Sequence, residues 1–298
     1  MPEGVPSIDL VAGQWDGPRD RWPAAFTPGN AEFAGHLPTL VGAPDGLART
    51  YYRAAWQVVI GAAGPRAAAL LDPARTRARL LTALAGDAGD FRAVEAYLVL
   101  TGDLDLLAEK AGGGTVLDHL RRLATGQDDG GLATDAARVG RTRSLAALLR
   151  RLGEPDEAAA IELGAGEAAR DVLAHYAGGG RWRTVETPDD SAATFRSVAG
   201  EMPEFLDLRQ RTELVEFAHR RLGAEPSGAV AYPLCRLGWP DRAATLLAGA
   251  ERPGADELEA ILAGLFGIRA DFVGWGAGAR RVTIRGFGRL DNLPAALT

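Results

Sequence analysis

The chain alternates apolar runs of helical spacing with short polar breaks rich in glycine and proline. One run begins at Asp45 and ends before Gly61, and its apolar positions recur three or four residues apart, as in an amphipathic helix. These positions are Ala48, Tyr51, Tyr52, Ala55, Val58 and Val59. The segment "LDPARTRARLLTALAG" likewise places Leu80, Leu81 and Leu84 on one face. Both patterns predict helices with one buried face.

Capping residues predict where several helices begin and end. Asp72 stands directly before Pro73, a pair typical of a helix start, and Gly86 is placed to end that helix. Asp90 and Thr115 are further candidates for the N-terminal cap. The other apolar runs predict helices over residues 142–152, 155–176, 203–222, 229–237, 241–250 and 256–265. Strand patterns are confined to "RWRTVE" and "RRVTIRGF".

Two similar segments each predict a tight turn between two helices. They are "LRRLGEPDEAAA", at 149–160, and "LCRLGWPDRAAT", at 234–245. Each has glycine where a left-handed residue ends one helix and proline where the next helix begins. No repeat period of about 34 to 40 residues runs along the chain, which weighs against a regular solenoid. We therefore predict an all-α fold of paired helices with minor β segments. The break at 176–194 is interpreted as a long excursion within one domain, 1–298.

Composition and charge restrict the class of function. A chain of 298 residues with 47% hydrophobic content can bury a sizeable core, and its net charge of −6 argues against nucleic-acid or anionic-membrane partners. The arginine-rich runs are accordingly interpreted as solvated helix faces. Cys235 is the single cysteine, so the chain can form no internal disulfide and no thiolate metal cluster. The apolar runs are shorter than a bilayer span and the first residues lack a leader pattern, so we predict a cytoplasmic protein.

The segment "WPAAFTPGNAEFAGHLPTLVGAPDGLARTYYRAAWQVV" resembles the start of the catalytic module in bacterial six-hairpin, or (α/α)6, glycosidase-like proteins. The resemblance continues in "LLDPARTRARLLTAL", in "AYLVLTGDLDLLAEKAGGGTVLDHL" and in "GGLATDAA". It implies a toroid-like array of helical hairpins, complete or incomplete, whose loops form a carbohydrate pocket at one end. In that pocket, paired carboxylates would perform acid and base chemistry.

The chain is shorter than this family pattern in the segments expected to shape the pocket. Only "IGAAGPRAAA" separates the first helix from the "LDP" helix, and "GLATDAA" places Asp135 one position from the family's acidic residue. The expected activity is therefore that of a glycosidase-like small-molecule enzyme with a remodelled pocket. It would act on a sugar or glycoside, or serve as a cyclase, lyase or isomerase in specialised metabolism. The alternative is a non-catalytic binding or scaffold protein that retains the toroid.

The candidate site residues come from the loop around "GNAEFAGHLP", from the adjacent helix and from two acidic segments. The catalytic candidates are His36, Asp135, Glu201 and Glu204. The substrate-binding candidates are Trp15, Asn30, Tyr51, Tyr52 and Arg53.

Each candidate also has a structural explanation. The imidazole of His36 could donate to a sugar hydroxyl or transfer protons near neutral pH, or could bond a carbonyl and hold its loop. Glu201 and Glu204 fall, with Asp207, on one side of the predicted helix 203–222, where acids also favour a helix start. Asp135 could instead cap a turn.

No cofactor or metal is implied. The histidines at 119, 175 and 219 lack metal-ligand spacing, and "GWGAGARRV" leads into a strand pattern where a dinucleotide-binding segment would lead into a helix. The expected partner is a small-molecule ligand or sugar, with no nucleic acid and no membrane. The sequence leaves the oligomeric state open.

Overall fold

The computed structural model describes residues 37–59, 65–86, 88–126, 131–183, 187–222, 225, 227–276, 281–291 and 293. The helices within these residues are α1 (Asp45–Val59), α2 (Pro65–Leu71), α3 (Pro73–Ala85), α4 (Phe91–Thr101), α5 (Val116–Thr125), α6 (Gly131–Arg151), α7 (Pro155–Ala174), α8 (Pro188–Glu201), α9 (Leu208–Arg221), α10 (Ser227–Arg236), α11 (Pro240–Ala248) and α12 (Ala255–Glu259). A π-helical turn, Ala260–Leu265, continues α12, and 3-10 turns cover Leu104–Ala108, Pro203–Phe205 and Phe272–Gly274. The described chain is therefore mainly helical, as predicted. It contains no helix with the length and apolar character that crossing a bilayer would require.

The predicted helix starts at three capping residues are confirmed. The Asp72 carboxylate accepts a hydrogen bond from the backbone N–H of Arg75 at 3.1 Å, and Pro73 takes the first helical position. Asp90 caps α4 in the same way. At α5, Thr115 and Asp118 each accept from the other's backbone N–H, which forms a capping box. These bonds satisfy N–H groups that have no partner inside their own helix.

Both predicted helix-to-helix turns are confirmed. Gly153 has a φ of +86° between α6 and α7, and Gly238 has a φ of +96° between α10 and α11. Residues with a side chain are strained at these angles, so glycine is suited to both positions. Pro155 and Pro240 then begin the following helices. Local sequence thus determines both hairpins.

Three predicted boundaries are wrong. Helix α6 begins at Gly131, well before the predicted start at 142, because it packs against α5, α7 and α8 and so does not show a single apolar face. Helix α8 lies in the predicted excursion, where Thr187 caps it by accepting from Asp190 N at 3.1 Å. The predicted helix 203–222 is divided into a 3-10 turn and α9, which Asp207 caps.

Short antiparallel strands form three small sheets in the described residues. Strand β7 (Gly288–Asp291) pairs with β1 (Thr39–Val41) and with β6 (Thr283–Ile284). The other pairs are β2 (Lys110–Ala111) with β3 (Gly114–Thr115), and β4 (Tyr176–Gly178) with β5 (Arg181–Trp182). The β1–β7 pairing joins the first and last described segments. The sequence did not predict β1, since three residues carry too little alternation to identify a strand.

Helix α10 occupies a central position in the second half of the chain. It packs against α8, α11, α12 and the π-helical turn, while α1 packs against α11 and α12. The core between these helices includes the fully buried rings of Tyr51, Phe195 and Phe266. This packing brings the C-terminal ends of α8 and α10 next to residues 263–271, where the candidate site lies.

The β4–β5 hairpin is held to α9 by one carboxylate. Glu213 accepts hydrogen bonds from the Tyr176 hydroxyl at 2.6 Å, the Gly179 N–H at 2.8 Å and Arg209 Nε at 2.8 Å. The bond from Tyr176, followed by those from Arg209 and Gly179, lowers the pKa of Glu213 from 4.5 to about 2.

This lowered pKa predicts a pH-dependent contribution to stability. Because the folded-state pKa is below the unfolded value, the stabilisation is present above about pH 4.5 and is lost as the pH falls toward about 2. Thermal unfolding of the wild type and of Glu213→Gln, measured from pH 7 to pH 2, should show a Tm difference that disappears over this interval. A difference that stays constant with pH would contradict the prediction. The Glu216→Gln variant on the same helix is the control, with an exposed pair to Arg220.

Candidate functional site

Three helices contribute to a network of ion pairs and hydrogen bonds. Arg92 on α4 donates to Glu95 on the same helix and to Glu201 at the end of α8. Its guanidinium also donates to Ser144 Oγ on α6 at 3.2 Å. Glu95 is fully buried, and its other carboxylate oxygen accepts from the backbone N–H of Phe272 at 2.9 Å. A buried carboxylate thus connects α4 with the segment that follows the π-helical turn.

Gly140 makes room for this network on α6. A Cβ atom at this position would lie 2.5 Å from Glu201 Oε2 and 2.7 Å from Arg92 Nη2. The close approach of α6 to the Arg92–Glu201 pair therefore depends on the absence of a side chain.

A second group of charges adjoins the first. Glu204, in the 3-10 turn after α8, contacts Arg143 on α6 and lies 3.8 Å from Arg236 Nη2 at the end of α10. The Arg143 guanidinium also lies over the ring of Phe205, 5.1 Å from its centre. Burial, together with the charges of Arg236 and Arg269, lowers the pKa of Arg143. Three guanidinium groups therefore lie near one another, and two of them, those of Arg143 and Arg236, contact Glu204.

Arg269 and Asp271 form the third part of the cluster. Arg269 Nε and Nη2 each donate to one oxygen of Asp271 at 2.7 Å, a bidentate pair. Asp271 also accepts from the backbone N–H of Gly274 at 2.7 Å. The pair is held rigidly, and it forms part of the wall of a cavity.

A cavity of about 300 Å³ opens next to this cluster, and we call it the cationic cavity. Its charged lining residues are Glu204, Arg211, Arg236, Arg269, Asp271 and Arg281. Its other walls include Tyr232 and Cys235 of α10 and the π-helical turn at Gly264. This volume is at the lower end of the range of small-molecule sites.

Cys235 is unsuited to act as a nucleophile in this cavity. Burial raises the pKa of its thiol to about 12, so the reactive thiolate is scarce near neutral pH. A Cβ atom at Gly264 would lie 3.0 Å from the Cys235 sulfur, so the thiol packs tightly against the π-helical turn. The role of Cys235 here is to fill space.

A second cavity, of about 450 Å³, shares Tyr232 with the first, and we call it the acidic cavity. Its charged lining residues are Arg196, Glu201, Glu225, Asp256 and Glu259. Arg196 donates to Glu225 at 2.7 Å. Asp256 is exposed at the cavity wall, and its partial desolvation there, followed by the negative charge of Glu257, raises its pKa. Tyr232 lines both cavities.

Glu201 and Glu204 are the predicted catalytic residues that the fold brings together. Both line a space of about 30 Å³ beside the cationic cavity. The expected arrangement on one helix face with Asp207 is wrong, because Glu201 ends α8, Glu204 lies in the 3-10 turn and Asp207 caps α9. For Asp207, the helix-start role is confirmed by a 2.7 Å bond from Gln210 N.

Four of the other predicted residues lie outside both cavities. Asp135 pairs with Arg138 of its own helix at 2.8 Å and lines neither cavity. Tyr51 is buried and its hydroxyl donates to the carbonyl of Pro38 at 2.6 Å, while the Tyr52 hydroxyl accepts from Leu40 N at 3.2 Å. Arg53 is half-buried on α1 and also lines neither cavity. Trp15, Asn30 and His36 lie outside the described residues.

The arginines were missed as site residues. Arg92, Arg143, Arg236 and Arg269 have side chains only 14–21% exposed. Arg92, Arg236 and Arg269 stand singly in the sequence, outside the arginine-rich runs that were interpreted as solvated faces. They come from α4, α6, α10 and the segment after the π-helical turn. No sequence spacing connects these elements, so only their packing identifies the cluster.

Comparison with known proteins found no matching family model, no matching curated protein and no matching solved structure. Within the described residues, histidine, cysteine and carboxylate side chains form no group of three or more that could hold a metal ion.

Proposed function

We propose that this protein is a small-molecule enzyme that acts on a sugar or glycoside by carboxylate acid and base chemistry. The observation that carries the proposal is the acidic cavity, which is lined by the ion-paired carboxylate of Glu201 and by Asp256, whose pKa is raised. Acid and base chemistry needs two carboxyl groups with different proton affinities beside one substrate. The acidic cavity places Asp256 beside Glu201, which Arg92 holds in an ion pair.

The surroundings of Asp256 and Glu201 suggest which carboxyl group would act as the acid and which as the base. Asp256 is the candidate general acid, because its raised pKa favours the protonated form that can donate to a leaving oxygen. Glu201 is the candidate base, oriented by Arg92. The same pair could serve hydrolysis or a cyclase, lyase or isomerase reaction, since each needs a proton delivered and a proton removed. In this proposal, Tyr232 contacts the substrate between the two cavities, and His36 assists from its loop.

We also propose the finer architecture that the resemblance implies: a single domain, 1–298, in which the helical hairpins form an (α/α)6 toroid. The confirmed hairpins at Gly153 and Gly238 and the mainly helical composition support this arrangement. A cytoplasmic location completes the proposal and is supported by the single cysteine.

A non-catalytic binding protein is the second candidate. It is favoured by the engagement of Glu201 and Glu204 with arginine side chains, which is also the arrangement of a purely structural ion network. In that case the cavities would bind a ligand without transforming it.

The activity of two variants distinguishes an enzyme from a non-catalytic binding protein. Turnover of a panel of aryl glycosides should fall about 100-fold or more in Asp256→Asn and in Glu201→Gln, the usual range for loss of a general acid or base. Asp256→Asn should also remove the decline of wild-type activity at high pH, since that decline reports deprotonation of the acid. Glu216→Gln on α9 is the matched control and should retain full turnover. Unchanged turnover in both site variants would exclude these roles, and a folded wild type inactive on every substrate would favour the binding protein.

A further inference from the structure

The cationic cavity carries positive charge in a protein that is acidic as a whole. Four arginines and two carboxylates line it, an excess of two positive charges, whereas the chain has a net charge of −6. The acidic cavity has the opposite character, with four carboxylates and one arginine. Two neighbouring cavities of opposite charge thus share one tyrosine.

The four arginines differ in how far their donors are used. Arg269 is bonded to both oxygens of Asp271, and Arg211 donates to the carbonyls of Leu206 and Pro203 at 3.1 and 2.9 Å. Arg236 is different. Its Nε is buried and has no hydrogen-bond partner among the described residues, and its ion contact with Glu204 is 3.8 Å long. The terminal nitrogens of Arg236, which lines the cavity, are thus less engaged than those of Arg211 and Arg269, and an oxyanion in the cavity could accept hydrogen bonds from them.

The surroundings of Arg236 also favour a negative ligand. Arg143 and Arg269 lie close enough that the charges of Arg236 and Arg269 lower the pKa of Arg143. Arginine remains charged near neutral pH, so the repulsion between these groups persists there. An oxyanion placed between Arg236 and Arg281 would offset it.

We propose that the cationic cavity binds the anionic group, a phosphate or a carboxylate, of the sugar on which the enzyme acts. This inference rests on the proposed function and specifies its substrate class. The sugar ring would lie beside Tyr232, with its reacting bond in the acidic cavity and its anionic group against Arg236 and Arg281. Guanidinium groups suit this task because their N–H donors match the geometry of carboxylate and phosphate oxygens. A neutral sugar could offer only hydroxyl acceptors and would leave the excess positive charge of the cavity uncompensated, so it should bind more weakly.

Isothermal titration of the full chain with inorganic phosphate, glucuronate and glucose, at low ionic strength, tests the inference. We expect phosphate, glucuronate or both to bind and glucose not to bind, and the two anions distinguish phosphate from carboxylate recognition. The Arg236→Gln and Arg281→Gln variants should weaken anion binding about tenfold or more. Arg281 is exposed, so its variant tests the site even if Arg236→Gln does not fold. Arg150→Gln, which removes an exposed arginine outside the cavity, should bind like the wild type.

A variant with the opposite expected effect separates ligand binding from a structural role. Glu204→Gln removes the carboxylate that competes for Arg143 and Arg236, so it should bind the anion more tightly than the wild type, whereas general damage to the site would weaken binding. Equal affinity in the wild type, Arg236→Gln and Arg281→Gln, or weaker binding by Glu204→Gln, would overturn the inference.

Failure of this inference can be distinguished from failure of the proposed function. Anion binding that depends on Arg236 and Arg281, without turnover of any anionic glycoside, would support the cavity assignment and reject the enzyme. Turnover of neutral glycosides that depends on Asp256 but not on Arg236 would reject the anionic substrate and retain the enzyme.

Discussion

Replacing Glu95 with alanine should lower the free energy of unfolding by about 3 to 5 kcal/mol, the range for removing one partner of a buried ion pair. Glu95 is fully buried, pairs with Arg92 and accepts from the Phe272 N–H at 2.9 Å. Alanine would leave that N–H without its acceptor and would open a cavity between α4 and residues 272–274. Urea unfolding followed by circular dichroism measures the change.

Two further variants test whether the expected loss of stability depends on the burial of the Glu95 carboxylate. Glu95→Gln keeps the shape and an acceptor for Phe272 but removes the charge opposite Arg92, so its loss should be smaller than that of Glu95→Ala. Glu162→Ala breaks an exposed ion pair with Arg150 and should cost less than about 1 kcal/mol. If Glu95→Ala were no more destabilised than Glu162→Ala, the buried network would not hold these elements together.

Replacing Gly228 with alanine should destabilise the fold by about 3 kcal/mol, at the upper end of the usual cost of overpacking. Gly228 lies in the first turn of α10, against the start of α12. An added Cβ would overlap backbone atoms of Asp256 and Glu257 and would lie 2.7 Å from the carbonyl oxygen of Asp256. Backbone cannot move aside as a flexible side chain can. The Gly228 N–H also donates to Glu257 at 2.8 Å, and a shift of α10 would lengthen that bond.

A glycine in open surroundings provides the matched control. Gly164 lies inside α7, and a Cβ there would have no heavy atom within 4 Å. Gly164→Ala should therefore stabilise the protein by about 0.5 to 1 kcal/mol, because alanine loses less chain entropy in a helix. Thermal or urea unfolding of both variants gives the comparison. The proposed close contact of α10 with α12 would be contradicted if both substitutions shifted stability in the same direction.

Helix ends were predicted correctly where they depend on residues close together in the sequence. Asp72, Asp90 and Thr115 each cap a helix through a backbone N–H two or three residues away. Gly153 and Gly238 adopt left-handed angles at the predicted turns. The start of α6 and the whole of α8 were missed, although "TPDD", the N-cap Thr187 and the first three residues of α8, is a readable helix start. Apolar periodicity was the weaker guide there, because α6 is buried on more than one side.

The candidate site could be predicted only in part. Glu201 and Glu204 were selected for their spacing on one helix, yet they come together because α8 ends and a 3-10 turn begins between them. Arg92, the ion-pair partner of Glu201, lies 109 residues before it in the sequence. Asp256 and Tyr232, which line the acidic cavity, had no sequence pattern that distinguished them. The predicted loop residue His36 lies outside the described part of the chain and stays a prediction.

The sequence by itself determined the helical class, the capped helix ends and the two hairpins, because these depend on bonds and backbone angles within a few residues. Only the tertiary structure decided the pairing of β1 with β7, the burial of four arginines and the two cavities beside Tyr232. Charge and hydrogen-bonding capacity are properties of single residues. Whether a charge is solvated, paired or directed into a cavity depends on which distant elements pack around it.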